Sequence, residues 1–167
     1  IILIDTSGNI LMSNRSQQQL LGYTAEELLT MRVPDYLSAD DGVHGLALFQ
    51  EALDRKINAY QFELEYICKD KSIRWIDASV GMVWDETGNH LYSIVISRDM
   101  TESRNIKLTI ENSEKRFRAI FENASIPIAL THYDRRLGLV NPAFAKMLGY
   151  SADELSGMKF DDITHPD

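Results

Sequence analysis

The side chains of this chain that could do chemistry are few, and their spacing gives them little to do together. The 167 residues hold one cysteine, Cys68, and four histidines. A single thiol excludes an internal disulfide and a cysteine-based metal cluster. No Gly-x-Gly-x-x-Gly, P-loop, His-Glu-x-x-His or Gly-x-Ser-x-Gly sequence occurs. Glu63 and Glu65 stand two apart in a strand-like run, which puts both on one solvated face and does not oppose them as acid and base. Asp99 and Thr101 flank Met100 at the start of a helical pattern, where a carboxylate and a hydroxyl suit the capping of orphan amides. No catalytic residue is expected in this stretch of chain. Met12, Met31, Tyr66, Trp75 and Met82, with His44, could line a pocket for an unidentified small ligand, and core packing explains the apolar members equally well.

These residues must be placed by elements whose signals are clear. Ile1–Ile4 and Ile10–Ser13 read as strands of a hairpin closed by Asp5-Thr6-Ser7-Gly8-Asn9. Asn14–Leu21 and Ala25–Met31 read as helices, the first stopped by Gly22 and the second opened by a Thr24/Glu27 capping box. After Pro34, Asp41 is expected to cap a helix over about Val43–Asp54. Strands are expected at Ala59–Lys69, Ile73–Trp84 and His90–Arg98, with apolar residues alternating as Tyr60, Phe62, Leu64, Tyr66 and then Trp75, which is expected to face the helices. Short turns between consecutive strands imply antiparallel pairing. The reading is α+β: a five-stranded antiparallel sheet with helices on one face.

The chain also repeats itself. Asn14 to Asp40 and Asn141 to Asp167 align in register without a gap, sharing Asn14/Asn141, Leu21/Leu148, Gly22/Gly149, Tyr23/Tyr150, Ala25/Ala152, Glu27/Glu154, Leu28/Leu155, Met31/Met158, Asp35/Asp162 and Asp40/Asp167. A unit this long is a domain and not a solenoid repeat. The expected organisation is a nearly complete first domain over 1–101, a connector over 102–123 and the opening part of a second domain over 124–167.

The connector has no glycine or proline and good helix formers. Ser103, Ile106, Ile110, Ser113, Phe117, Ile120 and Ala124 follow alternate steps of three and four. Two readings stay open: an amphipathic helix packed on its own domain, or the seam of a parallel dimer, weakened by the small hydroxyl of Ser113. Three heptads are marginal alone, so a dimer would need help from the flanking domains.

A net charge of −8 argues against general nucleic-acid binding and attraction to an anionic membrane. No apolar run approaches the roughly 20 residues of a membrane span, so a soluble, cytoplasmic piece is expected, whatever anchors its parent.

The order DTSGNI, N…LLGYTAEEL, FELEYICKDKSIRWIDASV and WDETGNHLYSIVISRDMTE resembles a PAS domain with its trailing PAC segment, a sensory module of bacterial and archaeal signalling proteins. The resemblance covers Ile1 to about Glu102 and returns from about Phe117 to the end. Lys71 departs from it, standing where the family usually has glycine, which should strain that hairpin. The resemblance implies sensing, docking or dimerising as a homodimer. It also implies a downstream output domain, a histidine kinase or a cyclic-di-GMP synthase or hydrolase. Asp99-Met100-Thr101 is similar to the family's Asp-x-Thr junction, where the acid holds the strand end and the hydroxyl caps the connector. His44 falls roughly where haem-binding relatives carry an axial ligand, but the tyrosines and basic residues that accompany such sites are not evident, and no Asn-Cys-Arg-Phe-Leu-Gln sequence marks a flavin. Haem and flavin are therefore not expected. A scaffold that binds no ligand and only assembles partners is the alternative.

Overall fold

The computed structural model describes residues 1–164. It divides into two compact units, Ile1–Ile106 and Lys107–Asp167.

In the first unit, β1 (Ile2–Ile4) and β2 (Ile10–Ser13) form a hairpin. The Asp5 carboxylate accepts the Ser7 and Asn9 amides of its turn. Asn14 caps α1 (Arg15–Leu21), which Gly22 closes in the left-handed region. The Thr24/Glu27 capping box opens α2 (Ala25–Leu29). A 3₁₀ turn, Val33–Tyr36, leads into α3 (Ala39–Arg55). Then come β3 (Ala59–Ile67), β4 (Ile73–Trp84) and β5 (His90–Asp99), and α4 (Thr101–Asn123) begins. The five strands pair antiparallel in the order β2-β1-β5-β4-β3.

Several boundaries differ from expectation: α2 ends at Leu29 and not at Met31, the strands β1 and β5 shift by one residue at one end, and two further differences, in α3 and β3, have identifiable reasons. α3 starts four residues earlier because Ser38, and not Asp41, is its cap: the Ser38 hydroxyl accepts the Asp41 amide at 3.1 Å. Asp41 instead reaches across to accept the Glu65 amide of β3 at 3.0 Å. β3 ends at Ile67 because the Lys69 amide turns to the carbonyl of Leu21 at 2.9 Å.

The ladder settles which residues face the helices. Leu64 pairs with Ile76, and Ile76, Ala78, Val80 and Met82 alternate into the core. Trp75 therefore points to the opposite face, correcting the expectation that it meets the helical layer. There the Arg104 guanidinium covers its ring, 3.6 Å from the centroid. β4 is apolar at both Trp75 and Ile76, so alternation alone did not fix its sidedness.

Lys71 sits at φ +70° in the β3–β4 turn. That conformation costs a non-glycine residue about 1–2 kcal/mol. Glycine's greater freedom in the unfolded chain offsets part of this, so Lys71→Gly should raise stability by about 0.5–1 kcal/mol. The urea midpoint should rise with an unchanged slope, and a lowered midpoint would contradict the turn assignment.

The second unit repeats the opening of the first. β6 (Ala129–Thr131) pairs with β7 (Leu137–Val140), followed by α5 (Pro142–Leu148), α6 (Ala152–Leu155) and a 3₁₀ turn, Phe160–Ile163. Asn141 holds φ −85° and ψ 165°, the values of Asn14, and Gly149 matches Gly22 within 2°. Ser151 and Glu154 rebuild the capping box. Asn141 is wholly buried: its Oδ1 accepts the Ile128 and Phe144 amides, and its Nδ2 donates to the Ile126 carbonyl. The core here is small, built on Leu137, Phe144, Ala145 and Leu155, while Leu130, Leu139 and Met147 remain exposed. Asp167, the last identity of the repeat, lies outside the described residues.

Candidate functional site

The helical layer of the first unit does not close completely on the sheet. A cavity of about 190 Å³ lies between α3 and the inner face of β3, β4 and β5. α3 contributes Gly42, Gly45 and Phe49, β3 contributes Tyr60, Phe62, Leu64 and Tyr66, and Ala78, Val80 and Val95 complete the sheet side. Exposed Thr6, Ser7 and Arg32 also border it, with Arg32 Nε donating to the Ser7 carbonyl at 3.0 Å. The walls are thus mainly apolar and aromatic, with polar groups from the β1–β2 turn, from Arg32 and from Gln50 of α3.

The two glycines explain why space remains. A glycine inside a helix costs about 1 kcal/mol relative to alanine, and α3 carries two of them, three positions apart. A Cβ on Gly45 would lie 3.6 Å from the Phe62 ring, so a methyl fits by contact and anything larger enters the cavity.

Of the six residues nominated for a pocket, Tyr66 lines the cavity. Met82 and Met31 belong to the core around it, and the Ser93 hydroxyl donates to Met82 Sδ. Met12 is 46% exposed. Trp75 is on the far face of the sheet. His44 lies exposed on α3, with its ring edge-on to Phe62 at 6.4 Å. Phe49, Phe62 and Val80 also line the cavity, and the sequence does not distinguish them, because core and pocket walls share one composition. The glycine pair was the readable signal. Cys68 is buried, and its thiol donates to the Leu20 carbonyl at 3.3 Å. Among the described residues, no group of three or more His, Cys, Asp and Glu could hold a metal ion. No described helix is long and apolar enough to cross a membrane.

The exit of β5 into α4 is tied to β4 at several points. Asp99 Oδ1 accepts the Thr101 amide at 2.9 Å, and Oδ2 pairs with Arg74 at 3.2 Å. Thr101 Oγ1 accepts the Trp75 amide at 2.9 Å, and the Met100 amide donates to the Trp75 carbonyl at 2.8 Å. The expected roles are exchanged: the acid meets the first amide of the helix, while the hydroxyl holds the neighbouring strand. Arg104, one turn on, stacks over Trp75 and lies 3.9 Å from Glu63 of β3.

Burial alone would raise the pKa of Asp99, but its hydrogen bonds with Thr101 and the charge of Arg74 outweigh that and hold it below the usual carboxylate value. A carboxylate with a depressed folded pKa stabilises the fold above its unfolded pKa, near 4, and ceases to do so as pH falls through the lower folded value. The Thr101 amide resonance should therefore stay constant from pH 7 to about 4 and shift only below that. A transition centred above pH 5 would contradict the contact.

The connector residues of the proposed seam are exposed: Ile106 53%, Ile110 62%, Phe117 47% and Ile120 63%, with Ser113 exposed among them. Phe121, one position on, is buried and stacks on Phe117 at 5.4 Å.

This architecture coincides with what comparison with known proteins returns. Family models described as PAS domain match residues 1–102 and residues 115–167. The chain belongs to the PAS domain family. It is 33% identical over 75 residues to the sensor histidine kinase TmoS of Ectopseudomonas mendocina, covering 45% of this chain and 8% of that protein. It is 28% identical over 100 residues to the probable diguanylate cyclase DgcE of Escherichia coli (strain K12), covering 60% of this chain and 9% of that protein. The chain thus spans about a tenth of the length of these relatives. Among solved structures, the PAS domain of a Colwellia psychrerythraea protein has a TM-score of 0.56 at 23% identity, covering 60% of this chain and 85% of the other. A sensory box histidine kinase/response regulator of Burkholderia thailandensis E264 has a TM-score of 0.51 at 16% identity, covering 70% and 88%. Both likenesses concern the fold.

Proposed function

We propose that this chain is a sensory and regulatory module: the cavity of the first unit takes a small, mainly apolar ligand, and the Asp99–Thr101 junction passes the resulting change into α4. From there it acts on an output domain of the same protein, a histidine kinase or a diguanylate cyclase. The names of the two curated relatives support the choice of output. The connector seam, Ile106, Ile110, Ser113, Phe117 and Ile120, pairs two copies of the chain.

The observation that carries this reading is the cavity itself. It is a mainly apolar space within the core layer, open to solvent beside Thr6, Ser7 and Arg32, and two glycines of α3 stand in its wall, where larger side chains would fill it. A scaffold that only assembled partners would gain stability by filling it. Native mass spectrometry of the chain purified from cells tests the reading, with Gly45→Leu as the filled variant. The expected result is a stoichiometric small molecule retained by the original chain and lost from Gly45→Leu. Equal spectra with no bound mass in either would favour the ligand-free scaffold.

A further inference from the structure

Tyr66 stands at once in the wall of the cavity and in the strand pairs that hold the connector. Its ring is 1% exposed and meets Tyr36 edge-on at 5.0 Å. Its hydroxyl is 2.9 Å from Ser97 Oγ. In the sheet order β5-β4-β3, this bond passes over β4 to join β3 to β5. Ser97 is two residues before Asp99. Across the β3–β4 ladder Tyr66 pairs with Arg74, whose guanidinium holds Asp99. One side chain therefore borders the cavity, bonds the last stretch of β5, and pairs across the ladder with Arg74, which holds the carboxylate that grips the first amide of α4.

The chemistry gives this bond a directional consequence. Burial pushes the Tyr66 phenol pKa up, with its hydrogen bonds opposing, so the phenol is neutral across the physiological range. Ser97 and Gln17 are the side chains that hydrogen-bond this hydroxyl, and a buried hydroxyl that loses a partner carries a desolvation cost, which favours movement of the ring and Ser97 together. Small Ala78, which pairs with Ser97 on β4 and lines the cavity, leaves the path for the ring to cross.

We infer that Tyr66, through its hydrogen bond to Ser97, is the positioning residue that couples the cavity to the start of α4. The inference rests on the sensory reading above, but its test needs no ligand. Amide hydrogen exchange is measured on the chain and on Tyr66→Phe, Ser97→Ala and Ser97→Thr. The reporters are Met100, Thr101 and Arg104, whose amides donate to Trp75, Asp99 and Met100. The controls are Leu3 and Val80, on β1 and β4. Tyr66→Phe and Ser97→Ala should each speed the reporters about tenfold, leaving the controls within about twofold, and Ser97→Thr should keep the original rates. Unchanged reporters in both variants would overturn the inference. A uniform acceleration of reporters and controls alike would overturn it too, since that reads as general destabilisation. Absence of a bound molecule in the native mass spectra would instead count against the sensory reading and leave these exchange rates to stand.

Discussion

Replacing Ile110 and Phe117 together by glutamate should convert a dimer into a monomer in sedimentation velocity. Ile106, Ile110, Phe117 and Ile120 fall, with Ser113, at steps of three and four, and each of the four apolar residues leaves about half or more of its surface in solvent. Contiguous apolar stripes of this kind on a polar helix mark an interaction site. Each buried aliphatic or aromatic side chain contributes about 1.5–3 kcal/mol, so two lost from each of two helices, with carboxylates forced together, should weaken association by more than about a hundredfold. Ser113→Ile, which fills the weak seam position, should tighten it. An unchanged sedimentation coefficient for the double variant would show that copies of this chain do not meet through α4.

The second large effect separates the two faces of β4. Ile76 is 1% exposed beneath the helical layer, whereas its neighbour Trp75 is half-buried on the outer face against Arg104. Ile76→Ala should cost about 2–5 kcal/mol, the sum of lost transfer energy and an unfilled void. Trp75→Ala loses an exposed cation–π contact and partial cover, about 1 kcal/mol, despite removing more atoms. Urea unfolding of both variants gives the comparison. A larger loss for Trp75→Ala would mean that the sheet is inside out.

How much could be read in advance depended on whether the signal was local. The hairpin turns, the glycine stops at Gly22 and Gly149, and the capping boxes at Thr24 and Ser151 are decided by neighbours within four residues, and the sequence showed them in place. α4 runs over Thr101–Asn123 as its composition implied. What depended on distant partners was less legible. Asp41 looked like a cap because nothing local says that its carboxylate is occupied by Glu65 of β3. Trp75 looked internal because it alternates with apolar Ile73, but Ile73 is itself exposed, Ile76 carries the buried face, and Arg104, which covers Trp75, lies far along the chain. The cavity was hardest: it is defined by what α3 omits, and residues at its wall look like any core. Two glycines within one helical pattern were the trace it left.

The measurement that bears most directly on the whole account is a titration of the ¹⁵N-labelled chain with benzene, followed by amide chemical shifts. An apolar cavity of about 150 Å³ is known to accept benzene, and this one measures about 190 Å³. The account predicts saturable shifts at Leu64, Val80 and Val95 in the wall, together with shifts of the same midpoint at Thr101 and Arg104 on the connector, all abolished in Gly45→Leu. Shifts confined to exposed residues, or wall shifts that leave Thr101 and Arg104 unmoved at saturation, would contradict it.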